Sequence, residues 1–133
     1  MLSLTVNTNL KEIYSAQVNE VILPTPDGFL GVMTGHLPMI SNLSFGEVLI
    51  RKNGSYESMI VGGGIAEVFE DKLKILVLYA ESPEEIDIDR ALKAKERAEK
   101  RIVDPEGAWD LDRAMIALTR ALTRIRLAGK SEG

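Results

Sequence analysis

The residues with the clearest chemical potential in this 133-residue sequence are six arginines near its C-terminal end. Arg90, Arg97 and Arg101 are spaced by seven and four, and Arg113, Arg120 and Arg124 repeat that spacing. Steps of four and seven stay on one face of an α-helix. If two such helices fold back on each other near residue 106, residue 90 lies level with about residue 123. Arg90, Arg97, Arg120 and Arg124 then gather along one half of a hairpin. Guanidinium groups repel one another unless an anion lies between them, and their planar forks bind phosphate oxygens bidentately. The competing assignment is ordinary charge pairing with Glu96, Glu99 or solvent. Residue types leave both open. Asp87 suits a helix N-cap, and Asp89 a first-turn partner of the helix dipole.

Other reactive groups are scarce. There is no cysteine, so thiol nucleophiles, disulfides and thiolate metal sites are excluded. The single histidine, His36, cannot build a multi-histidine metal site. It stands in a turn segment with no Ser/Asp constellation nearby, which points to packing or hydrogen bonding. Gly62-Gly63-Gly64 lacks the lysine and hydroxyl of a phosphate-binding loop. Strand bending or close backbone approach explains these glycines better. A small hydrolase is disfavoured, because no nucleophile–base set exists.

The elements that must position these residues fall into two blocks, expected as domains 1–84 and 85–133. Glycine, proline and β-branched residues dominate the first, and alanine, leucine, arginine and glutamate the second. Leu2, Leu4 and Val6 alternate with polar neighbours, the period of a half-buried strand. A second strand is expected over Val18 and Val21-Ile22-Leu23, stopped by the turn-rich Pro24-Thr25-Pro26-Asp27-Gly28. Asn53-Gly54 between two strand-like runs predicts a hairpin, and Glu70-Asp71 predicts another. Many short strands with frequent turns indicate a β-sandwich or barrel.

The second block reads as two helices. Asp104-Pro105-Glu106-Gly107-Ala108-Trp109 separates them, and Asp110 is expected to cap the second. Ala91, Ala94 and Ala98 should face Ala114, Ala117 and Ala121. Such small residues allow close approach but bury little area, so the pair should separate easily. The fold class is therefore α+β: an N-terminal β-sandwich followed by a C-terminal antiparallel α-helical hairpin.

The order of these parts and two motifs resemble the epsilon subunit of F-type ATP synthases. Gly28-Phe29-Leu30-Gly31-Val32-Met33-Thr34-Gly35-His36-Leu37-Pro38 is similar to that family's Gly-x-x-Gly-[Val/Ile]-Leu-x-x-His-x-Pro segment, with Met33 in place of the usual leucine. Gly62-Gly63-Gly64-Ile65-Ala66-Glu67-Val68 is similar to its glycine-rich strand entry. The resemblance covers essentially the whole chain. It implies a non-catalytic rotor component of the central stalk, peripheral on the cytoplasmic face of the cell membrane and touching the membrane only through the complex. The implied partners are the gamma subunit, the ring of c subunits, and the catalytic beta and alpha subunits. Phe29, Leu30, Val32, Met33, His36 and Leu37 are candidates for the gamma and c-ring docking patch, although some of the apolar ones belong in the core instead.

Ile86-Asp87-Ile88-Asp89-Arg90-Ala91 also resembles the [Ile/Leu]-Asp-x-x-Arg-Ala motif of ATP-binding epsilon subunits from certain bacilli. The resemblance implies ATP-binding residues Glu81, Asp87, Arg90, Ala91, Arg97, Arg120 and Arg124, with carboxylates at the adenine end and arginines on the phosphates. ATP would then be a regulatory ligand rather than a substrate. Any accompanying magnesium is expected to be held through water by nearby acidic residues, with no ligand directly from the protein. ATP bound only to the compact hairpin would oppose an extended, hydrolysis-blocking form. From Arg113 to Ser131 there is no acidic residue. Arg113, Arg120, Arg124 and Arg126 therefore suit an acidic partner surface, which the resemblance implies is on the beta subunit.

The formal net charge of −4 argues against a nucleic-acid partner. No apolar run approaches the roughly 20 residues of a membrane helix, and the first residues do not read as a secretory signal. The alternative to a rotor subunit is an unrelated sandwich whose helical hairpin grips a protein partner.

Overall fold

The computed structural model describes the backbone of residues 1–103 and 108–132. It divides into two units, Met1–Glu81 and Ser82–Gly133.

The first unit contains eight strands: β1 (Leu2–Asn7), β2 (Glu12–Val18), β3 (Glu20–Thr25), β4 (Gly28–Met33), β5 (Met39–Leu43), β6 (Gly46–Lys52), β7 (Ser55–Phe69) and β8 (Lys72–Glu81). They pair in the order β2-β1-β8-β7-β6-β3-β4, with β5 beside β7. All neighbours are antiparallel except β1 and β8. The result is a β-sandwich.

The apolar alternation of the sequence explains the core. Leu2, Leu4 and Val6 of β1 are fully buried. Leu73, Ile75 and Val77 of β8 enter the same cluster, as do Val21 and Leu23 of β3 and Val48 and Ile50 of β6. Tyr14 on β2 packs against this cluster. Burial raises its pKa above the ordinary 10.0, and the carboxylate of Glu57, to which it is hydrogen-bonded, adds to the effect.

Both expected hairpins form. Lys52 pairs with Ser55, and Asn53 and Gly54 have φ of 51° and 82°. Positive φ at both central residues matches the twist of the flanking strands. Phe69 pairs with Lys72 across Glu70 and Asp71, which also have positive φ.

Three details correct the sequence reading. The second expected strand is two strands broken at Asn19, whose side-chain oxygen accepts from Asn53 N–H at 2.7 Å. Pro24 and Thr25 do not stop β3 but belong to it, leaving Pro26-Asp27 as the turn. β5 was not foreseen, because Met39-Ile40-Ser41-Asn42-Leu43 is short and its pattern is masked by the preceding Pro38.

β7 is the organising strand. Its first half pairs with β6 and its second half with β5, while β8 pairs with it from Ile60 to Phe69. Gly62-Gly63-Gly64 lies where the partner changes, and Gly63 has a φ of 61°. A side chain at Gly62 would collide with the Tyr79 ring, and one at Gly64 with the Leu76 carbonyl and Val77 Cα. The glycines thus serve bending and close approach, as their lack of a phosphate-loop lysine suggested.

The second unit contains a one-turn 3₁₀ helix at Pro83–Glu85, then α1 (Ile88–Val103) and α2 (Ala108–Glu132). α1 and α2 pack together, and α2 also packs on the 3₁₀ turn. Four residues separate the two helices, a length that with their mutual packing suits an antiparallel pair. The expected breaker lies largely in residues 104–107, outside the described residues. Asp110 is not the cap of α2, which already begins at Ala108. Ala91, Ala98, Ala114 and Ala121 are buried as expected. Ala94 is only half-buried and Ala117 is exposed, so the seam is narrower. Leu127 and Ala128 extend the buried stripe of α2 toward its end.

Candidate functional site

The hairpin site starts at Asp87. Its Oδ1 accepts from Arg90 N–H at 3.1 Å, and its carbonyl accepts from Ala91 N–H at 3.0 Å. Asp87 is therefore the N-cap of α1, satisfying a helix-end N–H that has no partner within the helix. Asp89 occupies the first turn, where a negative charge complements the helix dipole.

The buried alanines fix where the arginines lie. Arg90, Arg97, Arg113 and Arg120 each immediately precede a buried alanine: Ala91, Ala98, Ala114 and Ala121. One residue back is about 100° around the helix. In an antiparallel pair, residues one step before the seam fall on the same side of both helices. Arg101 and Arg124, each three residues past a buried alanine, fall on that side too. The structure therefore brings Arg90, Arg97, Arg120 and Arg124 to one face, together with Arg101 and Arg113. Arg126 immediately precedes buried Leu127 and stands two residues before buried Ala128, so the seam does not assign it to one side.

Arg90 and Arg97 are exposed, and among the described residues neither guanidinium has a hydrogen bond or ion pair. Of the competing assignment, pairing with Glu96, Glu99 or solvent, these two show the solvent-exposed arrangement. Arg113, Arg120, Arg124 and Arg126 do engage in interactions. Ala91 is buried, so its contribution to this site is its small size at the seam. Glu81 ends β8 in the first unit, half-buried and engaged by other groups. Among the described residues, no group of three metal-binding side chains exists.

The second candidate surface is β4 and the turn after it. β4 alternates. Leu30 packs against the core opposite Leu23, and Val32 is fully buried opposite Val21. Phe29 is 80% exposed and Met33 49%. Val32 is thus a core residue and not part of a docking patch, and Leu30 is largely one as well. Their inward parity decides this, since both face the sandwich interior. Leu37 is 78% exposed and His36 half-buried. His36 Nδ1 lies 2.8 Å from the Leu37 carbonyl. A carbonyl only accepts, so Nδ1 carries the hydrogen. His36 is a turn-forming residue without a catalytic partner. Ile40, 72% exposed on β5, lies outside the expected segment. Its outward parity was hidden because β5 itself was not expected.

A profile described as the beta-sandwich domain of the ATP synthase delta/epsilon chain matches residues 1–83. The long alpha-helix domain of the same chain matches residues 84–129. The chain belongs to the ATP synthase delta/epsilon family. Among its relatives, the ATP synthase epsilon chain of Nitratidesulfovibrio vulgaris is 42% identical over 98% of this chain and 97% of its own length. That of Bacillus pumilus is 41% identical over 89% of each. A chain in the Euglena gracilis mitochondrial ATP synthase, solved as OSCP/F1/c-ring, superposes with a TM-score of 0.81 at 26% identity. It covers 92% of this chain and 78% of that one. A chain of the Tetrahymena thermophila central stalk and c-ring shares the fold, with a TM-score of 0.59 at 14% identity. Membership over both domains makes this an ATP synthase epsilon subunit and sets aside an unrelated sandwich-and-hairpin module.

Proposed function

We propose that this chain is a non-catalytic central-stalk subunit whose hairpin senses ATP. Its sandwich docks on the gamma subunit and the c-ring through Phe29, Met33, His36 and Leu37. The docked assembly lies on the cytoplasmic face of the membrane. Among the described residues no helix is long and apolar enough to cross a membrane, in keeping with attachment through the complex. The Euglena and Tetrahymena assemblies, which contain c-rings, support these partners.

The observation that carries the sensing role is the single arginine face, in which Arg90 and Arg97 are exposed and, among the described residues, without a side-chain partner. A triphosphate fits such a face, because guanidinium forks bind its oxygens bidentately and neutralise its charge. Asp87, with one oxygen engaged in the cap, retains a second for the adenine amino group. Magnesium, where present, is held through water. Only the closed hairpin assembles both helices' arginines, so ATP favours the closed state. When ATP falls, the hairpin opens, and Arg113, Arg120, Arg124 and Arg126 meet the acidic surface of the beta subunit. Hydrolysis then stops.

Calorimetric titration of the chain with ATP, with and without magnesium and with GTP as control, tests this. Saturable binding should favour ATP. Arg97→Ala should weaken it about ten-fold or more, while Arg126→Ala, outside the proposed phosphate-binding arginines, leaves it within about two-fold. No binding at millimolar ATP refutes the sensing role and leaves stalk membership intact.

A further inference from the structure

The turn between β7 and β8 contains more strain than its pairing needs. Glu70 and Asp71 have φ of 50° and 60°, and neither is glycine. A left-handed conformation is disfavoured for a residue with a Cβ, less so for aspartate than for glutamate. Glycine meets the same geometry freely, as Gly54 does in the preceding hairpin.

What distinguishes Asp71 is its bonding. Its carbonyl accepts from Ser3 N–H at 2.9 Å, which any residue could do. Its side-chain Oδ1 accepts from Gly35 N–H at 2.8 Å, which glycine could not. Gly35 is 36 residues away in sequence, in the connection between β4 and β5. The other bonds of that connection are local. His36 N–H donates to the Met33 carbonyl at 3.2 Å, closing a turn in which Gly35 has a φ of 86°. His36 Nδ1 donates to the Leu37 carbonyl. Local bonds fix the shape of a turn but not its direction. Among the described residues, the Asp71 carboxylate is what ties residues 34–38 to the rest of the sandwich by a hydrogen bond. Met33, two residues before Gly35, and Leu37, next to His36, are two of the exposed apolar side chains.

We infer that Asp71 is a positioning residue, whose carboxylate holds the Gly35 turn so that Met33 and Leu37 are presented in one fixed direction to the docking partner. This role rests on the docking reading of that edge. A preset turn lowers the ordering cost of association.

Asp71→Gly separates the clamp from the fold, because glycine relieves the φ strain while deleting the carboxylate. Asp71→Asn retains an acceptor oxygen and tolerates positive φ. Amide exchange at Gly35 should be slow in the unchanged protein and in Asp71→Asn, and about ten-fold faster in Asp71→Gly. Binding to a detergent-solubilised complex of gamma and the c-ring should weaken about ten-fold in Asp71→Gly, with Tm unchanged or raised, and stay within about two-fold in Asp71→Asn. Leu37→Ser, which removes a presented side chain, is the reference. If Leu37→Ser weakens binding and Asp71→Gly does not, the positioning role is overturned and the docking edge stands. If neither weakens it, the docking edge itself is wrong and the inference falls with it. Fast Gly35 exchange in the unchanged protein overturns the clamp without any variant.

Discussion

Replacing Asp87 with serine separates capping from nucleotide contact. The carboxylate already has a role without any ligand, accepting from Arg90 N–H at 3.1 Å. Asp87→Ala removes that cap along with any nucleotide contact, and α1 should lose about 1 kcal/mol from the cap alone. Serine caps a helix about as well as aspartate, so Asp87→Ser should leave hairpin stability within about 0.5 kcal/mol. Serine lacks the charge and the second oxygen. If that oxygen accepts from the adenine amino group, the lost bond to a charged group is worth about 1.5–3 kcal/mol, and the Kd for ATP should rise about ten- to hundred-fold. Helix melting by circular dichroism reads the cap, and calorimetry reads the affinity. Asp87→Ser should therefore melt like the unchanged protein and bind ATP poorly. Unchanged affinity in Asp87→Ser, with weaker binding only in Asp87→Ala, would show that Asp87 acts as a cap alone and refute the adenine assignment.

Two further substitutions probe the sandwich. Gly64→Ala places a methyl group against the Leu76 carbonyl and within 2.9 Å of Val77 Cα, backbone atoms that cannot step aside. A cost of about 3 kcal/mol should lower the Tm of the first unit by about 12–24 °C in a thermal melt, and a drop of under about 4 °C would contradict the close approach. Tyr14 has a folded pKa raised above 10.0 by burial and by Glu57, so the stability linked to it is present below pH 10 and lost as pH climbs through the higher folded value. Urea melts from pH 8 to 11 should show Tyr14→Phe declining less steeply than the unchanged protein, and equal slopes would count against that coupling.

Local chemistry was legible wherever a short segment decides its own conformation. Asn53-Gly54 and the seven-residue alanine spacing are of this kind. So were the glycine triplet's structural role and the arginine repeat, since helical geometry turns spacing directly into a face. Parity was harder. Phe29, Leu30, Val32, Met33 and Leu37 are all apolar, and only the pairing of Leu30 with Leu23 and Val32 with Val21 shows which of them point inward. Long-range bonds were not legible. Nothing local to Asn19 shows that it breaks a strand by accepting from Asn53, and nothing near Asp71 points to Gly35. The ends of α2 misled for another reason, because Asp110 suits a cap but the helix begins before it.

The continuity of β7 has a mechanical consequence. A subunit of a rotating stalk transmits torque, and torque on a sandwich tends to slide one layer over the other. Layers held only by apolar side chains resist sliding weakly, since dispersion contacts are non-directional and re-form after small displacements. Here one covalent strand of 15 residues pairs first with β6 and then with β5. Relative sliding must therefore stretch peptide backbone or strip the hydrogen bonds along β8. The bend at Gly62-Gly63-Gly64 is the joint through which such a load would pass from one half of the strand to the other.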